Sequence, residues 1–179
     1  MPAKRDLVVT PVAEGALILV LGAIGWAASW PFVFASLGPT AYEMIEKPES
    51  KSAKPYNVIA GHFVGLGAGF FSVWVLGTWA APKVTAAGLV AEPRIWTSVL
   101  AVALTAGITL MIGASQPASL STTLLVALGA MQTGRDALAI IIGVLILATI
   151  GEPVRRVREK RPTSPERLPR QIESHPPLA

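Results

Sequence analysis

Three long stretches of the chain, 15–42, 55–82 and 95–134, contain no Asp, Glu, Lys or Arg, and a fourth runs over 137–151. A hydrocarbon core of roughly 30 Å takes about 20 apolar residues as helix. The pattern therefore predicts four membrane spans, at about 11–29, 57–80, 94–114 and 135–151. Pro11 falls in the first turn, where its missing N–H costs least. The second span ends before Pro82, and the fourth stops at Glu152-Pro153. The third gap is longer than one span needs. The loop 46–56 (EKPESKSAKPY) is polar, and 81–93 (APKVTAAGLVAEP) less so.

Two segments fit neither spans nor loops: 30–46 (WPFVFASLGPTAYEMIE) and 116–131 (QPASLSTTLLVALGAM). Both are too apolar for an aqueous loop and too interrupted for an ordinary span. Each follows Ala-Ser-x-Pro, at 28–31 and 114–117, and each contains Ala-Ser-Leu, at 35–37 and 118–120. Each also lies between two spans. This order predicts an internal duplication, with repeat one over about 10–80 and repeat two over about 94–151. Non-helical backbone at membrane depth is tolerated only inside protein or along a water-lined cavity. Paired, broken apolar segments in corresponding halves point to a transporter's binding site. The expected fold is an all-α membrane protein: four transmembrane helices plus two re-entrant half-helices in two tandem repeats. Two crossings per repeat would relate the halves by an axis along the membrane normal. A rival arrangement lets each broken segment cross fully, which gives six crossings and inverted repeats.

Composition agrees with a bilayer setting. The chain has 179 residues, 52% of them hydrophobic and 15% charged, with mean hydropathy +0.55. Soluble domains carry about 25% charged residues. The net charge of +4 sits at the ends. Residues 1–9 form a short N-terminal segment, 10–151 the membrane domain, and 152–179 a basic, disordered tail. No aromatic residue interleaves with the tail's bases, so it suits anionic headgroups and not nucleic acid. With four crossings, eleven Lys and Arg fall on the side of the termini and four on the other, which puts both termini in the cytoplasm. A bacterial inner membrane is the expected location. The first apolar run is long enough to span and is followed by further spans, so it reads as an uncleaved helix and not a signal peptide. Cysteine is absent. No metal-spaced cluster, phosphate loop or nucleophile–base pair stands out, so neither enzyme activity nor a cofactor is expected.

The stretch from Pro31 to Gly65 resembles the HPP family of small integral membrane proteins, through Pro31, Ala35, Ser36, Leu37 and Gly38, then Pro55, Asn57, Gly61 and His62. The similarity extends over about 10–151. The family's His-Pro-Pro motif falls on 116–124 (QPASLSTTL). There Gln116 replaces the histidine, Pro117 is kept, Ala118 replaces the second proline and Thr122 keeps a threonine. The His-Pro-Pro at 175–177 lies in the tail and reads as coincidence. The resemblance implies four spans and transport of a small anion, nitrite-like, with no enzyme activity.

Helix N-termini with their free N–H groups form ready anion sites. Two half-helices meeting at mid-depth would aim two such ends at one point. The expected site is Ser36, Gly38, Thr40, Asn57, His62, Gln116, Ser119, Ser121 and Thr122. Thr123 adds a further hydroxyl. The plain alternatives are that the Ser and Thr residues only cap and pack, that His62 bonds a neighbouring carbonyl, and that Asn57 is a helix cap. Gly61, Gly65 and Gly69 share one face, which suits close helix packing or a homo-oligomer contact. The five tryptophans read as an interfacial belt. A non-transporting membrane scaffold is the competing functional class.

Overall fold

A computed structural model describes residues 6–84, 88 and 90–160. Among the described residues every regular element is helical: α1 (Asp6–Ala28), α2 (Leu37–Glu46), α3 (Pro55–Val75), α4 (Glu92–Met111), α5 (Ser119–Ala127) and α6 (Gly134–Glu159), with a 3₁₀ turn at Thr78–Ala80. α1, α3, α4 and α6 are long and apolar enough to cross a bilayer. α2 and α5 have 10 and 9 residues, so each spans only about half a hydrocarbon core. Charge gaps located the four long helices. α6 runs past the expected stop at Glu152-Pro153, because Arg155 and Arg156 pair with Glu152 and Glu159 across its last turns.

Side-chain contacts fix the direction of each element. Arg158 reaches Asp6 (3.4 Å) and Thr10 (2.8 Å) at the start of α1, and the Ile45 carbonyl (3.3 Å) at the end of α2. Arg155 donates to the Pro48 carbonyl at 2.6 Å. The start of α3 lies beside the last turns of α6, and Tyr56 donates to the Ile112 carbonyl at the end of α4. These termini form one end of the bundle, here the proximal end. At the distal end Arg135 donates to the Ser29 carbonyl after α1. Thr78 bonds Thr97 (3.1 Å), and Arg94 bonds the Ala127 carbonyl at the end of α5.

The segment 29–46 therefore enters at the distal end and leaves at the proximal end. It runs the length of the bundle and does not turn back. The segment 113–131 does the same in the opposite direction. The expectation of re-entry is corrected: each half-helix extends an extended stretch through the bundle, instead of returning to the side it came from. The two long–short–long halves also run antiparallel, so an axis along the membrane normal does not relate them. Their packing corresponds element by element. α2 lies against α1 and α6, and α5 lies against α4 and α3.

Small residues make room for the broken segments. A Cβ at Gly61 would lie 2.6 Å from Gln116 Cβ, one at Gly65 2.6 Å from the Ser119 carbonyl oxygen, and one at Gly69 2.8 Å from Val126 Cβ. This face is covered by α5 and its approach, so the expected homo-oligomer contact through it is corrected. Across the bundle Gly143 admits the Phe32 carbonyl (2.8 Å) and Gly151 the Met44 side chain. In a bilayer such van der Waals fits, not hydrophobic burial, hold helices together. The exposed Trp26, Trp74, Trp79 and Trp96 all lie near the distal end, with Trp30 beside them under Arg135. The tryptophan belt is one-sided.

Candidate functional site

The two broken segments meet at their helical starts. The Ser36 and Thr122 hydroxyls share a bond of 2.7 Å, and both residues are fully buried. Thr40, one turn into α2, donates to the Ser36 carbonyl at 2.9 Å and lies 3.3 Å from His62 Nε2. His62 Nδ1–H donates to the Val58 carbonyl at 2.8 Å, since a carbonyl can only accept. In the neutral ring Nε2 is then an acceptor, and the single Thr40 proton has two places to go. On α5, Thr123 donates to the Ser119 carbonyl (3.1 Å) and bonds Thr105 of α4 (2.9 Å). Ser119 donates to the Gln116 carbonyl at 2.6 Å. The result is a buried polar seam from Thr105 to His62.

Seven of the nine expected residues are buried around this seam and its proximal approach: Ser36, Thr40, Asn57, His62, Gln116, Ser119 and Thr122. Two are not. Gly38 is exposed, a Cβ there would meet nothing within 4 Å, and its φ is not positive. It sits on the outer face of the first turn of α2, away from Thr122. Ser121 is half-buried and points off the α5 face that carries Thr122 and Ser119.

The helix starts also differ from expectation. Ser36 holds the N-cap position of α2, but its hydroxyl is spent on Thr122 and makes no cap. The N–H groups of Leu37, Ser119, Leu120 and Ser121 donate to carbonyls three residues back. The free N–H cradle expected for an anion is closed by these tight turns. Asn57 does not cap α3, whose N-cap is Lys54 followed by Pro55. Its amide instead donates to the Lys51 carbonyl and ties down the 47–54 loop.

Unspent polar atoms gather at the proximal end of the seam. Gln116 Nε2, Asn57 Oδ1 and Glu43 Oε2 are buried with no hydrogen-bond partner among the described residues. Gln116 packs over Gly61, one turn along α3 from Asn57, and the Glu43 carboxyl faces Gln116 and Ser52. Glu43 was not among the expected residues. Its signal was an acid placed inside the apolar 30–46 segment, three residues after Thr40. Thr105 gave no signal, because a lone threonine in a span usually bonds its own helix, as this one also does through Ala101.

A family model described as HPP, transmembrane region, matches residues 2–163. The chain belongs to the HPP transmembrane family. Neither a curated protein nor a solved structure matches it. In this HPP protein the Gln116 amide faces the Glu43 carboxyl.

Proposed function

We propose that this HPP protein moves a small inorganic anion, nitrite-like by family resemblance, across the membrane along the seam between α2 and α5. The observation that carries the reading is the Ser36–Thr122 contact: two interrupted segments from opposite halves bring hydroxyls together in the buried middle of the bundle. Broken helices paired at mid-depth are the architecture in which transporters build their sites. Hydroxyls and the Gln116 amide would hold the anion, and the closed turns at the helix starts would loosen as it passes.

In this reading both broken segments cross the bilayer, giving six crossings and inverted repeats. The matched bonds Thr40 to Ser36 and Thr123 to Ser119, 83 residues apart in sequence, support the duplication. Lys47, Lys51 and Lys54 then join the side of the termini. By chain order that side holds twelve of the 15 Lys and Arg, which favours a cytoplasmic location for both termini, in a bacterial inner membrane.

Flux into proteoliposomes across nitrite, nitrate, formate and chloride tests the function. The reading expects nitrite uptake by the parent and its loss in Thr122→Val. One observation favours a non-transporting scaffold instead: the N–H donors of Leu37, Ser119, Leu120 and Ser121 bond carbonyls within their own turns. Folded protein with no flux for any of the four anions would establish that second reading.

A further inference from the structure

Arg94 is fully buried, yet among the described residues none of its partners carries a negative charge. Nε donates to the Pro82 carbonyl (3.2 Å), Nη1 to the Ala127 carbonyl (3.1 Å), and Nη2 to the Ala81 carbonyl (2.7 Å) and to Gln132 Oε1 (3.4 Å). Residues 81–91 contain no acid at all. Glu92 is exposed in the first turn of α4, and the Asp136 carboxylate is taken up by the N–H groups of Gln132 and Thr133. A buried cation balanced only by neutral oxygens carries a large desolvation cost. Its position adds to that cost on one side, because it stands in the first turn of α4, at the positive end of a helix dipole. The Lys83 backbone lies across Gly129 from it, and the Lys83 charge acts on the Asp136 carboxylate. Two sources of positive potential, the guanidinium and the start of α4, thus coincide at the distal end.

A free donor points to the same place. Gln132 gives its Oε1 to Arg94, while its Nε2 is buried with no partner among the described residues. Gly129, at φ +87, leaves room for the guanidinium: a Cβ there would lie 2.8 Å from Nη2. The chain therefore packs its backbone closely against a charged fork that is planar, directional and suited to oxyanions.

We propose that Arg94 and Gln132 form a binding site for a small monovalent oxyanion at the distal end of the bundle. The anion takes the guanidinium N–H groups now given to the Ala81 and Pro82 carbonyls, and the Gln132 amide supplies a further donor. Because Arg94 also holds the Ala127 carbonyl, occupation of the site loosens the 81–84 segment from the end of α5. As a way into the seam the site rests on the anion-transport reading; as a binding site it stands without it.

Thermal unfolding of the full chain in detergent measures binding, with sodium nitrite compared against sodium chloride at equal ionic strength. Nitrite is expected to raise the unfolding temperature of the parent in a dose-dependent way. Gln132→Leu, which removes the amide and keeps the size, should need about tenfold more nitrite for the same shift. Arg94→Lys, which keeps a charge but not the fork, should weaken binding at least as much. Should Arg94→Lys not accumulate, Gln132→Leu decides alone. No stabilisation by nitrite beyond chloride, or an unchanged dose in Gln132→Leu, overturns the site. Flux separates the two ideas: nitrite binding lost in Gln132→Leu, in a parent that transports nothing, keeps the site and rejects transport. Flux and nitrite binding both unaffected by Gln132→Leu keeps transport and rejects the site.

Discussion

The two half-helices solve the same problem with different chemistry. α2 and its extended approach are set in apolar surroundings: Phe32, Phe34, Leu37 and Met44 pack against Leu17, Leu21, Ile140, Val144 and Leu147. Its Ile45 carbonyl is taken by Arg158 and the Pro48 carbonyl, in the loop that follows, by Arg155, and both arginines are also paired with acids. α5 is set among hydroxyls and amides: Thr105, Ser119, Thr122, Thr123 and Gln116 are all buried. Its last carbonyl is taken by Arg94, which meets no acid among the described residues. A bilayer leaves no solvent to satisfy either segment, so each must find its partners in protein. The α2 side is built to hold still, with ion pairs and close-fitting apolar side chains. The α5 side is held by exchangeable neutral bonds, the arrangement that a passing polar solute can replace.

Breaking the close approach on the α5 side should have the largest effect. At Gly65 an added Cβ would meet the Ser119 carbonyl oxygen at 2.6 Å and Thr123 Oγ1 at 2.8 Å, and backbone cannot give way cheaply. Gly65→Val should abolish accumulation of folded protein. Gly65→Ala should cost about 1–3 kcal/mol by chemical denaturation. Gly67→Ala, two residues on with nothing within 4 Å, should be neutral or slightly stabilising.

The arginine clamps should rank next. Arg94→Met leaves three carbonyls short of a donor, and the buried one, of Ala127, should cost about 1–3 kcal/mol. Arg156→Met at the proximal end removes a side chain that is 69% exposed, and should cost under about 1 kcal/mol. Equal losses of unfolding temperature in the two variants would remove the contrast between the ends. At the seam, Thr122→Val strands the Ser36 hydroxyl at about 1–3 kcal/mol and should stop flux. Ser121→Val, on the other face of α5, should change neither. Smallest of all, Gly38→Val should insert, fold and transport as the parent does, because its side chain points into open space.

The sequence carried the long helices well and the direction of the short ones not at all. Charge gaps locate α1, α3, α4 and α6 because burying Asp, Glu, Lys or Arg in hydrocarbon is costly. The interruption at 30–46 was equally legible from Ser36, Gly38 and Pro39 set among phenylalanines. Whether that segment turns back or runs on depends on which end of α1 meets Ile45, and Arg158 reports this from a distance in sequence that no local pattern spans. The Gly61, Gly65, Gly69 stripe marked a close contact correctly, but a stripe does not say whether its partner is another copy or α5. Ser36, Thr40 and His62 could be picked out as buried polar groups, whereas the facing of Glu43 toward Gln116 is tertiary information.

The traversal of the bundle by both broken segments is the claim on which the transport reading of the seam depends, and topology tests it most directly. The chain has no cysteine, so single cysteines at Lys51 and Val90 can be labelled with a membrane-impermeant maleimide in intact cells and in inverted vesicles. If both segments cross, Lys51→Cys labels from the side of a tag on the N-terminus and Val90→Cys labels from the opposite side. Labelling of Lys51→Cys from the side opposite the tag, with Val90→Cys on the tag's side, would contradict the account and restore the re-entrant arrangement.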